Sequence, residues 1–198
     1  MMSIGTKRTL NTALVFALAA SSLVSCKKDE DETPAPSTPP NEEEVITTLL
    51  LTFTDTENAA NTYELRFTDA DGDGGNDPVL TGDTLPAGRA YNLALRVLDE
   101  SGSTPEEITE EIDAEAEEHQ FFFQTAGIDL PVAYADTDAN GRPVGLLNTA
   151  IAGAAGSGTL TVTLRHLPNK AAPGVAEGDI TNAGGETDIE VTFPVVID

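Results

Sequence analysis

The chain reads as a mostly β protein, an Ig-like antiparallel β-sandwich over residues 45–198 with one inserted acidic helix at about 105–118. Three observations predict this. Apolar residues recur at every second position in segment after segment, which is the period of a half-buried strand. Clusters of Gly, Asp and Asn separate these segments and supply turns. A single stretch carries helix-start chemistry in place of alternation.

Taken in order, Leu49, Leu51 and Phe53 share one face of a first strand. Tyr63, Leu65 and Phe67 alternate with Thr62, Glu64 and Arg66 in a second. Tyr91, Leu93, Leu95 and Val97 form a third set. Ser103-Thr104-Pro105-Glu106-Glu107 has the form of a capping box, with Thr104 at the N-cap, Pro105 at the first helical position and Glu107 reaching back. Ile108 and Ile112 then mark the helix's inward stripe. Leu130, Val132 and Tyr134 alternate again, as do Leu160, Val162 and Leu164, and finally Ile189, Val191, Phe193 and Val195. About seven or eight strands of this kind suit two packed sheets. The Gly-rich excursion from Leu167 to Glu186 is long for a compact domain, and such loops are either functional or decorated connections.

Ahead of the domain stands a leader. Residues 1–25 combine the basic pair Lys7-Arg8 with the apolar run Ala13 to Ala20, the pattern of a secretory signal. The run is shorter than the roughly 20 apolar residues a membrane span requires. The lone cysteine follows in Leu23-Val24-Ser25-Cys26, which resembles a bacterial lipobox, with cleavage before Cys26 and lipid on its thiol. Acyl methylenes contribute about 0.8 kcal/mol each on burial, so a multiply acylated Cys26 would anchor stably. Residues 26–44 then form a tether. Its Pro-rich part, Thr33 to Glu44, should be extended, and at about 3.1 Å per residue the segment from Lys27 onward reaches some 50 Å.

Charge restricts the partners. The formal charge is −24 with Lys+Arg 10 and Asp+Glu 34. Loss of the leader removes Lys7 and Arg8 and no acid, taking it to about −26. Such a surface repels nucleic acid and anionic lipid headgroups and attracts cations. No nucleotide-binding glycine motif and no nucleophile–base pair of recognisable spacing is present, so a non-catalytic role is expected.

Two acidic turns have calcium-loop spacing. Asp69, Asp71 and Asp73 precede Gly74, and Asp136, Asp138 and Asn140 precede Gly141. Oxygen ligands at alternate positions of a tight loop converge on a hard cation such as Ca²⁺. Both loops lack the bidentate Glu at position 12, where Leu80 and Leu147 stand, so any affinity should be weak. The alternative is that these are ordinary turn formers. A second constellation is His119 and His166 with Glu118 or Glu115. Glu115 and His119 would be i,i+4 neighbours on a helix, and the set would hold Zn²⁺. On a strand His119 would instead share a face with Phe121 and Phe123. Either histidine would otherwise serve as a hydrogen-bonded core residue. A third feature is the helix itself, with eight acids from Glu106 to Glu118 and no Lys or Arg. It is either a solvated face or a surface for a divalent cation or a basic protein partner.

Lys27-Lys28-Asp29-Glu30-Asp31-Glu32 after the cysteine resembles the export signal of surface lipoproteins in the Bacteroidota. The stretches Glu110 to Phe123, Asp136 to Gly141, Gly158 to Pro168 and Gly178 to Asp188 together resemble a family of small, uncharacterised Bacteroidota outer-membrane lipoproteins. The resemblance implies an outer-membrane protein, anchored through its lipid and exposed at the cell surface. It brings no activity and no site residues. Two roles follow from the residues: a binding module for divalent cations or a ligand held through them, and a structural accessory subunit of an outer-membrane or cell-surface complex.

Overall fold

A computed structural model describes residues 45–72 and 75–198. The leader, Cys26 and the tether lie outside the described residues, as does Asp73. The domain is built from two antiparallel sheets and one short helix. The elements are β1 (Thr48–Asp55), β2 (Thr62–Thr68), β3 (Val79–Gly82), β4 (Arg89–Asp99), β5 (Glu106–Glu107), α1 (Ile108–Ala114), β6 (His119–Ala126), β7 (Val132–Tyr134), β8 (Leu147–Ala152), β9 (Gly156–His166) and β10 (Glu186–Ile197). The larger sheet runs β3-β2-β1-β4-β8-β7, with β5 also beside β4, and the smaller runs β10-β9-β6. An immunoglobulin constant-type sandwich sets four strands against three. Here seven face three.

The alternating sets do bury their apolar face. Leu49, Leu51, Phe53, Leu93, Leu95, Val97, Phe121, Leu160, Val162, Leu164, Val191, Phe193 and Val195 meet between the sheets in one core. Each such side chain contributes about 1.5–3 kcal/mol on full burial. Backbone hydrogen bonds join the two sheets at both margins. Phe121 N donates to Val144 O at 2.7 Å and Leu95 N to Leu146 O at 2.9 Å on one side. On the other, Leu85 N donates to Val196 O at 2.9 Å and Asp198 N to Leu85 O at 3.1 Å. These bonds satisfy edge groups that would otherwise invite pairing with another chain.

The helix is shorter than the expected span of about 105–118. Glu106 and Glu107 pair with Asp99 and Leu98 as a two-residue strand, and α1 starts only at Ile108. The Thr104 capping box does not form; Glu107 occupies the N-cap without a side-chain cap. Instead its carboxylate accepts from Arg96 Nε at 2.7 Å and from the Thr109 hydroxyl at 2.6 Å. Pairing with β4 and a tertiary ion pair outweigh a local cap, which contributes only about 1 kcal/mol. The helix ends at Ala114, and after the turn 115–118 His119 opens a strand. β8 runs against simple pattern reading. Its large side chains Leu147 and Ile151 face out, while Asn148, Ala150 and Ala152 face the core. Among the described residues no helix is long and apolar enough to cross a membrane.

The excursion after β9 is packed. Two 3-10 turns, Val175–Glu177 and Ile180–Asn182, close over the outer face of β6, where Phe122, Val175 and Ala183 form a second small core with Ala172 and Ile180 against it. Gln120, also on that face, donates to Val175 O at 2.8 Å and to the Tyr134 hydroxyl at 3.2 Å. The start of β6 is therefore buried on both faces.

Candidate metal centre

Strand register brings the two histidines together. His119 opens β6 and pairs with His166 at the end of β9. Both lie on the inward face, continuing Phe121 and Leu164, and both are buried. Their rings stack with centroids 4.7 Å apart and planes 10° from parallel. β10 supplies the third member. Its pairing with β9 slips between Thr187 and Ile189, leaving Asp188 as the extra residue of a bulge. Bulges re-aim side chains, and this one carries the Asp188 carboxylate to 3.9 Å from His119 Nε2. Among the described residues, the ligand atoms of His119, His166 and Asp188 lie within 4.8 Å of one another.

The outer contacts suit a ligating histidine. His119 Nδ1 faces the Glu115 carbonyl at 3.2 Å. A proton on Nδ1 donated there leaves the Nε2 lone pair directed at the cluster, the usual outer-sphere arrangement for a metal-bound imidazole. Burial, opposed by the Glu115 carbonyl and reinforced by His166, pushes the His119 imidazole below its ordinary pKa. A neutral ring is the form that binds metal. Four donors around zinc stand about 3.4 Å apart, so modest rotamer changes would close the triad onto an ion. Glu118 stands at the lip, with Oε2 3.7 Å from His166 Nε2 and its side chain 54 % exposed.

The zinc expectation is thus reshaped. His119 and His166 converge, and Glu118 lies beside them. Glu115, just past the end of α1, meets His119 through its carbonyl, and its carboxylate is not one of the converging groups. Asp188 is the addition. Alternation places it out of phase with Ile189, Val191 and Phe193, and only a bulge turns it inward.

At the second calcium expectation, Asp136, Asp138 and Asn140, both carboxylates are already engaged within the protein. Asp136 accepts from Gly145 N and Leu147 N, each at 2.8 Å. Asp138 Oδ1 accepts from Asn140 N and Arg142 N, each at 2.9 Å, and Asn140 contributes this backbone amide to the loop. Its Oδ2 accepts from Lys170 Nζ at 3.0 Å, in a pair with side chains 0 % and 3 % exposed. The ammonium neutralises this carboxylate and also donates to Ala116 O at 2.5 Å. Burial alone would raise the Asp138 carboxyl, but the Arg142 amide and Lys170 together hold it below its ordinary value. Lys170 belongs to the long Gly-rich excursion, so sequence spacing could not pair it with this turn.

In the first acidic turn, Asp71 Oδ2 accepts from Asn76 N at 3.0 Å and Asn76 Nδ2 at 2.6 Å. That is the bonding of a side-chain-closed turn. Asp69 directly follows β2, its amide donating to Thr47 O at 2.7 Å. The helical acids Glu110, Glu111 and Asp113 are solvent-exposed, and just before the helix Glu107 is paired with Arg96.

The fold and its site therefore define a two-sheet β-sandwich with an inward-facing His-His-Asp cluster at one end. Comparison with known protein families, characterised proteins and solved structures returns no match to this chain.

Proposed function

We propose that this protein is a lipid-anchored outer-membrane lipoprotein, displayed at the cell surface, whose sandwich is a non-catalytic binding module for a divalent cation. The observation that carries the reading is the convergence of His119, His166 and Asp188 from three adjacent strands. Two imidazoles and a carboxylate favour a borderline ion such as Zn²⁺ over Ca²⁺, which takes six to eight oxygens. The net charge of −24 enriches cations around the domain. Titration calorimetry with each ion tests this. Zinc should bind with near 1:1 stoichiometry, and millimolar calcium should give no heat. Absence of zinc binding overturns the reading.

The lipobox supports the anchoring half of the proposal. Cys26→Ser should move the protein from the membrane pellet to the soluble fraction, and retention in the pellet would exclude thiol lipidation as the anchor. A second reading, an accessory subunit of a surface complex, is favoured by one feature: Leu147 and Ile151 project outward, each 54 % exposed, beside Ala94 and Ala90 of β4.

A further inference from the structure

Three protein ligands leave zinc one position short of its usual four. Resting on the metal reading above, we propose that Glu118 is the fourth ligand, closing an N₂O₂ set, and that its side chain is the arm through which the ion enters and leaves.

Position is the first argument. Glu118 Oε2 is 3.7 Å from His166 Nε2, about the separation of two donors on one zinc ion. Access is the second. The side chains of His119, His166 and Asp188 are 2 %, 7 % and 8 % exposed, whereas that of Glu118 is 54 % exposed. Glu118 can therefore meet an ion in solvent and deliver it to donors that solvent barely reaches. The backbone beneath the arm is held at both ends: Glu118 N donates to Glu115 O at 2.8 Å, and its carbonyl accepts from Leu167 N at 2.6 Å. Capture would then proceed by rotation of the side chain over a fixed backbone.

Charge is the third argument. Two neutral imidazoles and Asp188 around a dication leave a net charge of about +1 at a buried position, which is costly. The Glu118 carboxylate cancels it. Four protein ligands leave no position for water or substrate, the mark of a structural zinc site as opposed to a catalytic one.

Cobalt(II) substitution of the full chain in detergent micelles tests the proposal, because visible absorption of cobalt reports its ligands and azide adds only where a position is open. Wild type should bind cobalt with a spectrum unaltered by azide. Glu118→Gln should still bind, at least about tenfold more weakly, release the ion faster to a chelator, and acquire an azide-dependent spectrum; Glu117→Gln should match wild type. An azide-sensitive wild type, or a Glu118→Gln variant with wild-type affinity and spectrum, overturns the fourth-ligand assignment and leaves the triad intact. Failure of wild type to bind cobalt or zinc at all overturns the triad itself.

Discussion

Replacing Lys170 by Met is expected to destabilise the domain by about 3–5 kcal/mol, the usual cost of removing one member of a buried ion pair. Methionine keeps most of the apolar stem but removes the ammonium. Asp138, fully buried, would then keep a charge with no counterion, and Ala116 O would lose its donor. Domains are stable by only about 5–15 kcal/mol, so the change is a large fraction of the whole. For a domain of this size it corresponds to a drop in Tm of about 6–20 °C. Urea unfolding measures it directly. The double variant Lys170→Met/Asp138→Asn should lose clearly less than the sum of the two single changes, because it removes the orphaned charge. A single-variant loss below about 1 kcal/mol would refute the assignment.

The same pair sets an acid dependence. Asp138 has its folded pKa below the ordinary value of 3.8. Its contribution is therefore complete above that value and is lost as pH falls through the lowered folded value. The stability gap between wild type and Asp138→Asn should be widest near neutrality and close at strongly acid pH.

His119→Ala is expected to abolish stabilisation by zinc. At a free zinc concentration about a hundred times Kd, wild type should gain about 2.7 kcal/mol, simply because the ion binds the folded state alone. The variant loses a donor whose second nitrogen faces the Glu115 carbonyl. Each protein must be compared with itself, with and without zinc, so that any change in apo packing cancels. Asp188→Asn should reduce the gain as well, since it removes the charge the bulge brings inward. Equal zinc-induced shifts in wild type and His119→Ala would place the ion elsewhere.

Much of the architecture was legible because exposure along a strand is a local property. Leu49, Leu51 and Phe53, or Val191, Phe193 and Val195, announce their strands at period two. Where local chemistry competed with pairing, reading failed. Thr104 to Glu107 has every mark of a helix cap, yet Glu106 and Glu107 join β4. In β8 the inward positions belong to Asn148, Ala150 and Ala152, so hydrophobicity points to the wrong face. The Asp136 turn shows the same limit. Its oxygens have cation-loop spacing, but the cation that Asp138 meets is the ammonium of Lys170.

From sequence alone the chain declares a mostly β domain, an intensely acidic surface, a lipobox-like cysteine and two histidines of note. These need only composition, periodicity and neighbouring residues. Only the tertiary structure decided that His119 and His166 stack, that Asp188 joins them and that Glu115 does not. The reason is geometric. Which residues face one another across β6, β9 and β10 depends on register, and one extra residue in a bulge reverses the face to which a side chain points.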